Sequence, residues 1–210
     1  MLMEIIYEDS SVAVCFKPPF VSSQSCPDGK DMVSLLTERC GTEIFPVHRL
    51  DTLTSGVMVY AKTASAAASL SREMQNGGFG KEYIAVVHGR PTEDSGTFED
   101  LLFFDRSRNK SFVVKRERGG VKKASLEYRV IESRETEKGL FSLVRIKLHT
   151  GRTHQIRVQF ASRGMPVRGD GKYGSKFNSG EIALLSDTVS FTHPGTGEKM
   201  CFSSGRELVI

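Results

Sequence analysis

Three stretches of the chain hold polar side chains in patterns that a plain scaffold does not need. The first is Val47-His48-Arg49-Leu50-Asp51-Thr52-Leu53-Thr54-Ser55-Gly56, a polar loop carrying a carboxylate and feeding an apolar run that starts at Gly56. The second is Lys81-Glu82-Tyr83, at the mouth of a run ending Ala85-Val86-Val87-His88-Gly89. The third is Thr150-Gly151-Arg152-Thr153-His154-Gln155-Ile156-Arg157. A loop carboxylate such as Asp51 can be a nucleophile, a general base, a metal ligand, or an Asx-turn former bonded to its own backbone. The metal role needs more ligands than His48 and Asp51 supply. No base partner stands beside Asp51, whereas arginines are abundant in these motifs. An arginine facing a carboxylate lowers its pKa and keeps it ionised, which suits a nucleophile and not a proton shuttle. Carboxylate nucleophiles act at sugar C1 centres.

Other residues in and around these stretches have plain structural roles open to them. His48, His149 and His154 can be satisfied histidines of the scaffold, and Tyr83 can be an ordinary strand aromatic. Gly169-Asp-Gly-Lys-Tyr-Gly174-Ser175-Lys176 spaces two glycines as a phosphate-binding loop does. It then reads Ser-Lys where Lys-Ser/Thr is required, and no strand–loop–helix context surrounds it, so that reading is rejected.

The elements that must position these residues are mostly strands. Glu4–Tyr7 and Val12–Phe16 read as a hairpin around Asp9-Ser10-Ser11, ended by Lys17-Pro18-Pro19. Met32–Cys40 reads as a helix stopped by Gly41, and Gly56–Ala61 as a buried strand. Thr63 is placed to cap a helix over 64–75, with Asn76-Gly77-Gly78 as its stop. Further strands are predicted at Glu82–Val87, Ser111–Lys115, Ser125–Ile131, Phe141–Leu148, Ala183–Phe191 and Lys199–Phe202, and a helix at His154–Arg163. The expected class is α+β: a single domain over residues 1–210, with a mixed, mostly antiparallel sheet, flanking helices and a central active-site cleft.

Composition bounds the function. The 210 residues are 39% hydrophobic and 26% charged, which excludes a disordered or collagen-like chain. No apolar run approaches the ~20 residues of a membrane span, and the N-terminus lacks the pattern of a signal peptide. Four cysteines without C-x-x-C pairs read as free thiols in a reducing cytoplasm. The net charge of +4 hides an asymmetry: residues 101–130 hold nine Lys/Arg against three acids, and residues 141–174 hold seven against one. Those stretches carry +12 and leave −8 for the rest. If they meet in space they form a basic patch of the kind that attracts nucleic-acid phosphates; the alternative is a solvated face.

Taken in order, the three stretches resemble the motifs of the RluA-type pseudouridine synthases. His48-Arg49-Leu50-Asp51-x-x-Thr54-Ser55-Gly56 is similar to that family's catalytic loop, and Lys81-x-Tyr83-x-Ala85-x-Val87-x-Gly89 to its second motif. Thr150 to Arg157-Val158, followed by Gly169-Asp170 and Tyr173-Gly174, is similar to the third. The resemblance covers nearly the whole chain. It implies isomerisation of a uridine within an RNA: the N-glycosidic bond breaks, the uracil turns, and a C–C bond forms to C5, with no metal and no cofactor. It also implies roles. Asp51 matches the nucleophile, Tyr83 the tyrosine that stacks on the base and can help remove a proton, and Arg157 the arginine paired with the aspartate. Arg49 matches the residue that enters the RNA where the target nucleotide has left, and Leu185 falls near an apolar position that packs on the base. His48, Thr54, Arg152 and His154 are expected on the RNA side of the same motifs. Asp51, Tyr83 and Arg157 are expected to converge on one cleft.

There are departures. Gln159 stands where relatives often carry His, and Leu185-Ser186-Asp187 where many have Leu-His-Ala. No counterpart of the extra N-terminal RNA-binding domain of many relatives is expected, which would leave recognition to the catalytic domain. The expected partner is a stem-loop of ribosomal or transfer RNA, with no membrane association, and the chain is expected to be a monomer. Two rivals remain. A catalytically silent RNA-binding protein would not need Asp51, Tyr83 and Arg157 together. A glycoside or nucleoside hydrolase usually deploys two carboxylates, and no second acid sits in these motifs.

Overall fold

Side-chain capping starts both longer helices. Asp31, in extended backbone, accepts the Ser34 amide at 2.9 Å and opens α1 (Met32–Cys40), which Gly41 closes in the left-handed region. Thr63 accepts the Ala66 amide at 3.1 Å and opens α2 (Ala64–Gln75). The structure, a computed structural model, describes residues 3–177 and 180–210. Its strands are β1 (Glu4–Glu8), β2 (Val12–Lys17), β3 (Phe45–Pro46), β4 (Ser55–Ala61), β5 (Gly80–His88) and β6 (Ser95–Asp105). They continue with β7 (Lys110–Val114), β8 (Val121–Thr136), β9 (Gly139–Leu148), β10 (Leu184–Thr192) and β11 (Lys199–Ser203), with α3 at Gln155–Ala161. Two compact units form, Met1–Glu82 with Ser186–Arg206 and Tyr83–Leu185 with Glu207–Ile210.

In the first unit, β1 pairs β2, β2 pairs β4, β3 pairs β4 and β10 pairs β11, all antiparallel. Strand β4 lies between β2 and β10. That position explains its continuous apolar run, because a strand covered on both faces shows no polar alternation. Val57, Val59 and Ala61 pack with Val12, Val14, Val189 and Phe191, and with Ala66 and Leu70 of α2. Each fully buried aliphatic side chain of this kind stabilises by roughly 1.5–3 kcal/mol.

The second unit carries the strand order β5-β9-β8-β6-β7. The β8–β9, β6–β8 and β6–β7 ladders are antiparallel. Helix α3 sets Phe160 against Phe98, with ring centroids 5.0 Å apart, and Val158 joins Leu102, Ala124 and Tyr173 in the core. Both basic stretches fall in this unit, and the β8–β9 ladder places Glu127 opposite Lys147 and Arg129 opposite Arg145. The stretches therefore meet in space.

Antiparallel ladders and three α-helices among the described residues give the α+β class expected. The differences have local causes. Strand β6 escapes the sequence pattern because Glu99 and Asp100 interrupt its apolar residues. The structure ties Asp100 to α3, where it accepts from Gln159 Nε2 (2.7 Å) and Arg163 Nη1 (2.9 Å). Strand β8 runs past Ile131 because a bulge between Val130 and Glu132 leaves Ile131 outward and resumes pairing with β9. Helix α3 begins one residue later than predicted, since His154 is left-handed (φ 54°). No helix among the described residues is long and apolar enough to cross a membrane.

Gly56 shows the tightest requirement in the first unit. Its φ is 132°, and a Cβ there would stand 2.2 Å from the Ser186 carbonyl oxygen. Gly56→Ala is expected to cost more than about 2 kcal/mol in urea unfolding. Gly77→Ala, at φ 76° but facing open space, should cost only about 1 kcal/mol.

Candidate active site

The loop between β3 and β4 is held from both sides of Asp51. Ahead of it, the Leu50 amide donates to Ser23 Oγ (3.2 Å), and the same hydroxyl donates to the Leu50 carbonyl (2.9 Å). Ser23 is itself fixed, its carbonyl accepting the hydroxyl of buried Tyr60 at 2.9 Å. Behind it, the Thr52 carbonyl accepts the Phe20 amide at 2.7 Å and the Lys17 ammonium at 3.2 Å. The Asp51 carbonyl accepts the Thr54 amide at 2.9 Å. Asp51 is half-buried, Thr54 buried, and Arg49 and Thr52 exposed. Segment 17–23 thus fixes the peptide groups flanking a carboxylate, which is the preorganisation a nucleophile needs.

Lys17 is the anchor of that arrangement. Its side chain has no solvent exposure, and its ammonium also reaches the carbonyls of Pro18 (2.9 Å) and Val21 (2.8 Å). Burying an ammonium costs several kcal/mol unless its protons find acceptors; three carbonyls supply them. Burial pulls its pKa down to about 8, while the Asp51 carboxylate pushes the other way.

His48 is turned into the same unit. It is 9% exposed, its Nε2 accepts the Val59 amide at 3.1 Å, and its ring lies 5.3 Å from that of Phe79. That bond leaves the ring proton on Nδ1, which is buried and has no partner. Burial, helped by Lys81, lowers the His48 pKa to about 3. Ser186, one of the departures from the family pattern, is fully buried and donates to the Val57 carbonyl at 3.0 Å, beside Gly56.

The second unit organises the other motifs. Tyr83, on β5, is buried, as is Leu185 on β10. Arg157 makes a two-point ion pair with Asp170, Nε to Oδ2 at 2.6 Å and Nη2 to Oδ1 at 2.9 Å, with 3% and 1% of the two side chains exposed. The Arg157 guanidinium lies 5.1 Å from the centre of the Tyr173 ring. The Tyr173 hydroxyl accepts the Ser111 amide (2.8 Å) and is bonded to His154 Nδ1 (2.9 Å). Gln155 closes the turn before α3: its Oε1 accepts from Thr150 Oγ1 (2.7 Å) and the Arg152 amide (3.0 Å), and its Nε2 donates to the Ser125 carbonyl (3.1 Å). Arg152 is exposed and donates through Nε to the Lys123 carbonyl at 2.9 Å. Gln159, the other departure, donates to the Phe98 carbonyl (3.2 Å) and Asp100.

Sequence reasoning placed His48, Arg49, Asp51 and Thr54 on one loop, and the first unit holds all four. It missed Lys17 and Ser23, whose parts depend on a fold contact some 30 residues away; the only sequence signal was a lysine ending an apolar strand. Asp170 and Tyr173 stood in the third motif without an assigned role. The His48 environment has a measurable consequence. Its folded pKa lies below its unfolded value, so the unfolded chain binds the extra proton, and stability is lost as pH falls from about 6.5 toward 3. Between pH 7 and pH 5 the wild-type protein should lose about 2 kcal/mol more in urea unfolding than His48→Gln does. The His48 ring signals in NMR should stay neutral at pH 5.

Comparison with known proteins shows the family. Residues 11–162 match the family model described as RNA pseudouridylate synthase. An uncharacterised RNA pseudouridine synthase of Aquifex aeolicus is 38% identical over 95% of this chain and 68% of its own length. The dual-specificity RNA pseudouridine synthase RluA of Yersinia pestis is 34% identical over 98% of this chain and all of its own. The fold is shared with human RNA pseudouridylate synthase domain containing 1, at a TM-score of 0.82 and 23% identity over 98% of this chain and 84% of that one. A carboxylate held rigid on the HRLD loop, followed in order by the tyrosine and arginine motifs, thus sits in a chain that belongs to the RNA pseudouridylate synthase family, isomerases that convert uridine in RNA to pseudouridine.

Proposed function

We propose that the substrate is a stem-loop of ribosomal or transfer RNA and that Asp51 is the nucleophile. The observation that carries this reading is the fixing of the Asp51 loop by Ser23, Phe20 and Lys17. In the proposed reaction the Asp51 carboxylate attacks at the sugar as the N-glycosidic bond breaks. The freed uracil turns and bonds through C5 to C1′ as the Asp51–sugar bond breaks and releases the carboxylate. The proton lost from C5 is matched by one gained at N1, which leaves an isomer of the starting nucleotide. Tyr83 stacks on the base and helps remove that proton, and Leu185 packs on it. Arg157 is the cationic partner that the motif assigns to the carboxylate, itself steadied by Asp170 and Tyr173. Arg152, Thr54 and His154 shape the RNA side. His48 serves the loop from inside, as a neutral ring bonded to Val59. The name of the Yersinia relative raises dual specificity as the form this substrate choice takes. The enzyme is proposed to act as a cytoplasmic monomer, and mapping pseudouridine in ribosomal and transfer RNA after gene deletion identifies the sites.

Asp51→Asn is expected to abolish isomerisation in single-turnover assays while RNA binding survives, because no other group in the motif replaces the nucleophile. A variant keeping about a tenth of the wild-type rate overturns the assignment.

Arg49 is exposed beside that loop, where a guanidinium can fill the space a flipped nucleotide leaves. Extrusion costs a few kcal/mol only when the base is stacked. Arg49→Ala should therefore impair modification of a structured stem-loop strongly and of a short unstructured RNA much less. Equal losses on both, or a matching loss of thermal stability, assign Arg49 to holding the loop instead.

A further inference from the structure

Three non-glycine residues among those described have positive φ: Asn109, His154 and Phe20. Asparagine and histidine are several-fold enriched in that region because a short polar or ring nitrogen group bonds locally there. Phenylalanine gains no such bond, and at φ 67° its Cβ is strained. The ring recovers only part of that cost by burial. Phe20 is 56% exposed, and it is the only aromatic residue in the exposed class among the described residues. A scaffold has no use for an apolar ring that is strained at its backbone and wet at its side chain. Such a pairing is kept where the ring meets something outside the chain.

Its placement says what. The Phe20 amide donates to the Thr52 carbonyl at 2.7 Å, and the Lys17 ammonium bonds the carbonyl of that same residue and those of Pro18 and Val21 on either side of Phe20. The turn that bears the ring and the loop that bears Asp51 are one hydrogen-bonded block, one residue apart at their junction. Whatever approaches Asp51 therefore approaches a rigidly mounted aromatic face.

We propose that Phe20 is a substrate-recognition residue whose ring stacks on an unpaired base of the RNA, a neighbour of the target uridine. The proposal rests on the reading of Asp51 as the centre that acts on RNA. Unpaired bases are what proteins stack on aromatic side chains, and the interaction tolerates sequence because every base has a π face. Phe20 then governs which loops are accepted, favouring RNAs with a splayed base beside the target over paired ones, while the chemistry stays with Asp51.

The chain contains no tryptophan, so Phe20→Trp supplies a single fluorophore at the proposed contact. The expected result is quenching of that tryptophan when an RNA hairpin with a uridine-rich loop is added, and little change with a fully paired RNA duplex of equal length. Phe20→Gly removes the ring and relieves the strain together. It should keep or raise the melting temperature, yet weaken hairpin binding by about fivefold or more. Wild-type affinity and turnover in Phe20→Gly, or hairpin binding by Phe20→Trp without a fluorescence change, overturns the proposal and leaves the Asp51 reading standing. A fall in melting temperature that accounts for the lost affinity assigns the ring to the scaffold and overturns it too. Failure of the wild-type protein to bind or modify any uridine-containing RNA overturns both readings.

Discussion

The ammonium of Lys17, sealed from solvent and bonded to the carbonyls of Pro18, Val21 and Thr52, is the constraint on which the proposed nucleophile's loop depends. A charge in that position is expensive unless every proton is used. The expense is what makes it directive: the Pro18–Val21 turn and the loop after Asp51 must both deliver a carbonyl to the same point. Hydrophobic packing alone gives no such instruction, because it has no preferred direction. The sheet does the rest. Lys17 pairs with Gly56 at the end of the β2–β4 ladder, so the register of two apolar strands carries the ammonium to the foot of the loop. Gly56 has no room for a side chain, because the Ser186 backbone occupies the place a Cβ would take.

The second unit applies the same principle to an arginine. Arg157 and Asp170 are almost wholly buried, and the fork geometry of guanidinium and carboxylate fixes both in orientation as well as in charge. The Tyr173 ring below the guanidinium, with its hydroxyl held by Ser111 and His154, prevents the pair from tilting. The departures Gln159 and Ser186 serve the scaffold: each is fully buried and bonds a backbone carbonyl within its own unit.

Electrostatics divides the labour between recognition and chemistry. The basic stretches belong to one unit and lie side by side on β8 and β9, where only some of their charges find acids across the ladder. Phosphate attraction of that kind is blind to sequence. Discrimination has to come from groups that read bases or shape, and the loop region of the first unit offers two exposed ones, the guanidinium of Arg49 and the ring of Phe20. In the proposed reading they act on different features: Arg49 on the gap a departing nucleotide leaves, Phe20 on a base already unpaired.

Both longer helices, the Gly41 stop, the Thr63 cap and the buried strand β4 were legible in the sequence, because a stop glycine, a capping threonine and a run of apolar residues are local signals, whereas the Asp31 cap was not read. The proposed site residues Asp51, Tyr83 and Arg157 were read from the resemblance of three ordered motifs to the family's own. Strand β6 was not legible, as Asp100 looks like a breaker until α3 brings Gln159 and Arg163 to meet it. His48 was expected on the RNA side, with a scaffold histidine as the alternative, and the fold buries its ring and bonds it to the Val59 amide, which lowers its pKa. Lys17 looked like the polar end of a strand, and only the contact with Thr52 gives it a purpose. Sequence by itself determined the elements and the chemical groups, which depend on neighbours a few residues away. The tertiary structure alone decided which polar groups are sealed, which are strained and which face solvent, because those depend on desolvation and on bonds between segments far apart in the chain.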